Sequence, residues 1–432
     1  MRIRPGSLAV VMIASAACFA QARPETLEQA WRLAAARNQT LAAVADDVQA
    51  AQASARAARD ARWPSIETQA SYTRLGQTPE LDVVTPVSAF RSGPIFKNDQ
   101  YVSASVQARL PLYTGGAIRD GIDAARSGLR DASAEQRAVG ADVKMEVAET
   151  YVAVLRAQRE LAVEQASVTS LGAHLRDVQA MFHRQLVAKS DLLAAEVVLA
   201  NAREDEVSAQ NTLAIAQAEY NRLLGEPLER VPQLDPDLPV FAVDDLPLAA
   251  LLERALRARP ELQALDAQAG TLAAQARAAN ASRLPRIAAL AGYTHFDNQI
   301  LNREDFSMVG VGFTWKLFDG GAAANDADVL RARSRAALRQ LADLRSRIEL
   351  AVTTDWLALA AARAQLEASR AATAQAAENL RESRQLYGVG LASNTQVLDA
   401  VTLRAEAERD YDDATLDEGL NRLRLAYAVG AL

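Results

Sequence analysis

Three histidines, His174, His183 and His295, are the only imidazoles in the 432-residue chain, and they are scattered without the spacing of a metal-ligand set. The single cysteine, Cys18, leaves no disulfide and no cysteine-based metal centre to be made. The chain has no Walker-type phosphate loop and no nucleophile motif. Its chemistry is therefore expected to be that of charge and surface, with no catalytic residue, cofactor or metal, and any energy it uses must come from a partner. The formal net charge of −7, with no basic tract and no interleaving of basic and aromatic residues, argues against nucleic acid as that partner.

The N-terminus reads as an export signal. Arg2 and Arg4 precede an apolar run from Leu8 to Ala20, and Ala20-Gln21-Ala22 has the small-x-small form of a cleavage site. Residues 1–22 are expected to be removed, which takes the charge to −9 as the two arginines leave. Ser15-Ala16-Ala17-Cys18 also has a faint likeness to a lipoprotein box, with Ser15 where an apolar residue is usual, so Cys18 is either discarded or lipidated. No later segment approaches the roughly 18 unbroken apolar residues of a membrane helix. Any further contact with a membrane needs another kind of structure.

The rest of the chain contains itself twice. Leu112-Tyr113-Thr114-Gly115-Gly116 returns 205 positions later as Leu317-Phe318-Asp319-Gly320-Gly321, and the same shift takes Phe182 to Tyr387 and Gly225 to Gly430. Upstream the shift is 221, as Trp63-Pro64 against Leu284-Pro285, so 16 extra residues lie between the two matched blocks of the first copy. A period this long implies two halves of one architecture rather than a solenoid of roughly 20- to 50-residue units. The expected division is a first repeat over 23–225, a proline-rich linker over 226–247 and a second repeat over 248–432.

All 14 prolines fall at or before Pro285, and none lies between Pro111 and Pro227. Two long stretches, about 117–224 and 322–429, are rich in good helix formers, and the first helix could run some 70 residues, or about 105 Å. Val147, Val154, Leu161, Val168, Leu175 and Phe182 recur every seventh residue, matched by Val352, Leu359, Leu366, Thr373, Leu380 and Tyr387. That spacing predicts coiled packing against other helices.

Before each long helix comes a pair of strand-like segments, Ser65–Leu75 with Tyr101–Tyr113, and Ile287–Phe296 with Ser307–Phe318. Val309, Val311, Phe313, Trp315 and Leu317 alternate with Met308, Gly310, Gly312, Thr314 and Lys316, and Val102, Ala104, Val106, Ala108 and Leu110 alternate with polar neighbours. The segments have the length of tilted strands crossing a bilayer, with Tyr72, Tyr113, Phe296, Trp315 and Phe318 near their ends. The 16 extra residues fall in the connection 76–100, which reads as a long surface loop holding Pro79, Pro86 and Pro94. Four strands cannot close a barrel, and an open edge in hydrocarbon leaves backbone groups unpaired at several kcal/mol each. Several copies must share one barrel, and a lumen favours three or more.

The helix-to-helix turns carry a resemblance to a known family. The first reads Phe182-His183-Arg184-Gln185-Leu186-Val187-Ala188-Lys189-Ser190-Asp191-Leu192-Leu193, and the second Tyr387-Gly388-Val389-Gly390-Leu391-Ala392-Ser393-Asn394-Thr395-Gln396-Val397-Leu398-Asp399-Ala400. Both resemble the aromatic-x-Val-Gly-Leu tip followed by Asp-Val-Leu of the TolC family of outer-membrane efflux proteins.

The resemblance implies an α+β membrane protein with a long α-helical periplasmic barrel continuous with an outer-membrane β-barrel, four strands per protomer, an internal two-fold repeat and a homotrimeric assembly. It implies an export duct in the outer membrane, in contact with outer-membrane lipid and served by a periplasmic adaptor and an inner-membrane pump. Tyr387 and Asp191 match positions that hold the tunnel entrance closed, and Asp399 matches one of two acidic positions at the constriction. The other acidic position is Gln396, the basic link partner is Ala392, and the first tip has Gln185 in place of glycine. Gln185, Leu186, Val187, Ala188, Gly388, Gly390, Leu391 and Ala392 are the expected adaptor-docking tips. With threefold symmetry Asp399 becomes three like charges at a narrow point, a feature that attracts cations. The alternative class is a structural periplasmic coiled-coil or adaptor protein without a barrel. Drug, metal and protein remain open as the exported substrate, and type I secretion is open beside tripartite efflux.

Overall fold

The computed structural model describes residues 24–432 except 85, 88, 97, 243–245 and 299–301. The leader at 1–22 and Cys18 lie outside the described residues.

Two 67-residue helices dominate the molecule, α3 (Ala117–His183) and α7 (Ala322–Gly388), each about 100 Å long at 1.5 Å per residue. Each folds back through a tight turn into a shorter helix, α4 (Lys189–Leu224) after α3 and α8 (Asn394–Ala428) after α7. Two shorter pairs, α1 (Leu27–Arg37) with α2 (Gln39–Asp60), and α5 (Leu248–Ala258) with α6 (Pro260–Asn280), precede the strands of each half. Near its strand end α3 packs on α2 and α6, and farther along on α4 and α8, while α7 packs on α6 and then α8. Arg277 of α6 pairs with Asp120 at one end of α3, and Arg424 of α8 pairs with Glu149 farther down.

The seven-residue spacing does set the helix packing, with a shift of phase in α3. Val147 and Val154 are fully buried, but beyond them the buried line runs through Ala157, Glu164, Leu171 and Val178, and Leu161, Val168, Leu175 and Phe182 are half-buried. The reason is that α3 touches helices on more than one side, so it carries more than one seam. In α7, Val352, Leu359, Leu380 and Tyr387 are buried as the spacing predicts.

The N-terminal segment and the proline-rich linker are tied to the same helices. Glu25 bridges Leu234, the Tyr151 hydroxyl donates to the carbonyls of Glu25 (2.7 Å) and Asp235 (2.6 Å), and the Tyr220 hydroxyl donates to the Glu25 carboxylate (2.6 Å). Burial pushes both phenols well above their ordinary pKa.

Strands β1 (Ser65–Arg74), β4 (Gln100–Tyr113), β5 (Arg286–Phe296) and β6 (Asp305–Thr314) form one antiparallel sheet in the order β1-β4-β5-β6. Register places Ile66, Ala108, Ala291 and Val309 in one row and Thr68, Val106, Tyr293 and Ser307 in the next. That face continues through Val311 and Phe313, which are 70% and 63% exposed. The opposite face carries Glu67, Gln107, Gln69, Ser105, Thr294 and Arg109. Among the described residues no other part of the chain covers this face.

Two expectations are corrected. Connection 76–100 is not a plain loop but contains a second hairpin, β2 (Glu80–Val84) with β3 (Ala89–Pro94). β6 ends at Thr314, short of Phe318, because Trp315 donates its indole N–H to the Arg283 carbonyl (3.0 Å) and the chain turns. The turn is built by Gly320 and Gly321, both left-handed at φ 67° and 87°, as Gly115 and Gly116 are at 63° and 92°. Two consecutive left-handed residues convert strand into helix, and only glycine adopts them without cost. This is why the Gly-Gly pair recurs in both halves.

Candidate gate at the helix tips

Each long helix ends in the same turn. At the first tip Leu186 N–H donates to the Met181 carbonyl (3.0 Å) and Gln185 N–H to Phe182 (2.8 Å); at the second, Leu391 donates to Leu386 (2.9 Å) and Gly390 to Tyr387 (3.0 Å). This crossed pair satisfies the last carbonyls of the helix and requires a left-handed residue between. Gly390 supplies it at φ 75°, and Gln185 supplies it at φ 62° as the only non-glycine residue with positive φ among the described residues.

Apolar side chains at the tips face solvent, beside the exposed His183, Arg184 and Lys189. Leu186, Val389 and Leu391 are 68%, 68% and 77% exposed, and Gln185, Ala188, Gly388 and Gly390 are also exposed. Val187 and Ala392 instead turn inward, packing on a small core of Val178, Ala195, Tyr387 and Val397.

The expected gate residues divide into two groups. Tyr387 is buried in that core, its ring tilted against His174 at 5.2 Å between centroids. Its hydroxyl has no hydrogen-bond partner among the described residues. Burial, with the charges of Asp191 and Asp177, raises the Tyr387 pKa. Asp191 lies in the first turn of α4, where the helix dipole favours a carboxylate. Gln396 and Asp399 are both exposed on α8. Gln396 also starts its own helix, because its side-chain carbonyl accepts from Ser393 N–H (2.8 Å) while Ser393 Oγ accepts from Gln396 N–H (3.3 Å), a capping box at the head of α8.

Sequence reasoning missed the contact that joins these elements. His174 Nε2 lies 2.7 Å from Asn394 Oδ1, and Asn394 Nδ2 donates to the Asp191 carbonyl (3.2 Å). With His174 on α3, Asp191 on α4, Tyr387 on α7 and Asn394 on α8, one cluster touches all four tip helices. Comparing the two copies could have flagged it, because at the 205 shift His174 faces Asn379 and Asn394 faces Lys189.

Among the described residues no helix is long and apolar enough to cross a membrane, and no cluster of three or more His, Cys, Asp or Glu could hold a metal. The geometry is that of long paired helices joined to an open four-stranded sheet. Solved structures share it: CusC, from work on folding and transmembrane channel formation, at TM-score 0.80 and 19% identity over 94% of this chain and 92% of its own. The Vibrio cholerae outer membrane protein VceC gives 0.79 at 19% over 94% and 96%, and the open-state Neisseria gonorrhoeae channel MtrE 0.74 at 18% over 94% and 89%. In sequence, the outer membrane protein TolC of Vibrio cholerae is 24% identical over 397 residues, 87% of this chain and 86% of its own. The family model for outer membrane efflux proteins matches residues 30–226 and 251–431, both helix–strand–helix halves with the tips described above. The chain therefore belongs to the outer membrane efflux protein family, whose members are transport ducts rather than enzymes.

Proposed function

We propose that the chain is an outer-membrane export duct that works as a homotrimer, with twelve strands closing one barrel and the helices forming a periplasmic tunnel. The observation that carries this reading is the open sheet. Among the described residues, the outer edges of β1 and β6 have no neighbour within the chain, one face is apolar and uncovered, and the strands lead into helices about 100 Å long. Edges in hydrocarbon must be paired, and a second and third copy can pair them. Two halves, 23–225 and 248–432, joined by linker 226–247, are then two copies of one wall element, which the paired family matches and equal lengths of α3 and α7 support.

Transport through such a wall is passive. A periplasmic adaptor docks on the apolar tips through Leu186 and Leu391, and an inner-membrane pump supplies energy. Asp399 and Gln396 border the constriction, and Asp191 and Tyr387 belong to the closed entrance. Residues 1–22 are the export leader.

The test is fractionation with heat-modifiable gel migration. The protein should require detergent for release from outer membranes and migrate as a trimer before boiling. A chain soluble without detergent would leave only the coiled-coil or adaptor alternative. A deletion strain challenged with dyes, antibiotics, metals and secreted proteins then identifies the cargo class.

A further inference from the structure

We infer that buried His174, bonded to Asn394, is an acid-sensitive latch that holds the tip of α3 and α4 against α7 and α8, so that acid favours an open tunnel entrance. The inference rests on the duct reading and adds its regulation. Three observations support it: the 2.7 Å contact between His174 Nε2 and Asn394 Oδ1, the 4% exposure of His174, and the single cluster spanning four helices.

The orientation of Asn394 fixes the tautomer. Its Nδ2 donates to the Asp191 carbonyl, so Oδ1 faces His174, and the imidazole must carry its proton on Nε2. A second proton on Nδ1 leaves the Nε2–H to Asn394 Oδ1 bond in place but puts a full charge into a buried site against the Tyr387 ring, and the cost of that burial is what weakens closure. The charged and titratable surroundings are mixed. The Asn394 hydrogen bond from α8 and Asp177 on α3 favour the cation; Arg384 on α7, itself bonded to Ser170, opposes it; Asp191 lies on α4. Burial is the largest influence and lowers the His174 pKa below its ordinary 6.5.

A group with a depressed pKa in the closed form and an ordinary one when exposed binds protons better in the open form. Closure is therefore fully supported above pH 6.5 and weakens as pH falls through the closed-state pKa. Each pKa unit between the two forms shifts the equilibrium by about tenfold per copy.

The experiment is planar-bilayer conductance of the purified full-length protein between about pH 7.5 and about pH 5.5, a window that brackets an ordinary histidine. Wild type should gain conductance several-fold on acidification. His174→Gln keeps a neutral donor for Asn394; it should match wild type at the higher pH and cut the acid response by at least about threefold. Asn394→Asp sets a carboxylate opposite the imidazole and should flatten or reverse the slope, a check that stands even where His174→Gln folds poorly. An unchanged acid response in either variant overturns the latch and leaves the duct intact. Wild-type protein with no conductance at either pH overturns the duct reading and the latch with it.

Discussion

Gln185 is the residue at which the two tips differ most plainly in backbone cost. It holds the left-handed conformation at φ 62° that Gly390 holds at 75°, and an L side chain there costs about 1–2 kcal/mol. Gln185→Gly is expected to stabilise the first tip by about 0.5–1 kcal/mol, because glycine's larger unfolded-state entropy offsets part of the relief. Slower native-state hydrogen exchange at amides 184–188 is the readout, and faster exchange would show that the Gln185 side chain contributes contacts of its own. Asp399, exposed on α8, gives a separate residue-scale expectation. Asp399→Ala should raise conductance and weaken block by multivalent cations, and unchanged block removes Asp399 from the constriction. Gln185 stands out in the sequence as a difference between the copies, and Asp399 as a motif match. The His174–Asn394 contact joins residues 220 positions apart and has no local signature; it shows in the sequence only as a mismatch between the copies.

At the scale of elements, the sequence specified most boundaries because the punctuation is chemical. A proline-free stretch and a Gly-Gly pair predict a helix of some 70 residues from Gly116, and α3 runs Ala117–His183. The hairpin β2–β3 was not legible, because Pro79, Pro86 and Pro94 read as loop residues. Pro94 is tolerated at the end of β3, paired with Glu80 in a sheet of only two strands, where a missing N–H is least costly. Helix starts at the tips also differ. Ser393 caps α8 with Gln396, whereas Ala188 heads α4 with no side-chain cap. Ala188→Ser should supply that cap and stabilise α4 by about 0.5–1 kcal/mol. A denaturant titration followed by a tip fluorophore would detect it, and no change would mean that another group already satisfies the first amides of α4.

For the whole molecule, what remains uncovered in one chain is where the proposed trimer would place the next copy. Among the described residues the sheet leaves the outer edges of β1 and β6 unpaired, and the helical wall ends in α4 and α7, whose outer faces carry Leu193 and Val207, and Leu350 and Leu357. Leu350 and Leu357 are seven residues apart, as are the buried Val352 and Leu359, so α7 carries two seams two positions out of phase. Heptad spacing alone could not tell the buried seam from the exposed one, because both have the same period; the contacts of α7 separate them, and the proposed trimer would cover the exposed seam with a neighbour. The two seams should respond differently to substitution. Leu359→Ala, at a site 3% exposed, is expected to cost about 2–5 kcal/mol of fold stability, as buried leucines do. Leu357→Asp, at 56% exposure, should leave the monomer's helical circular dichroism intact and abolish the trimer in chemical cross-linking, because three carboxylates would be desolvated at three copy-to-copy contacts. A Leu357→Asp protein that still cross-links as a trimer would move the contact off α7, and the ring would have to close through the strands alone.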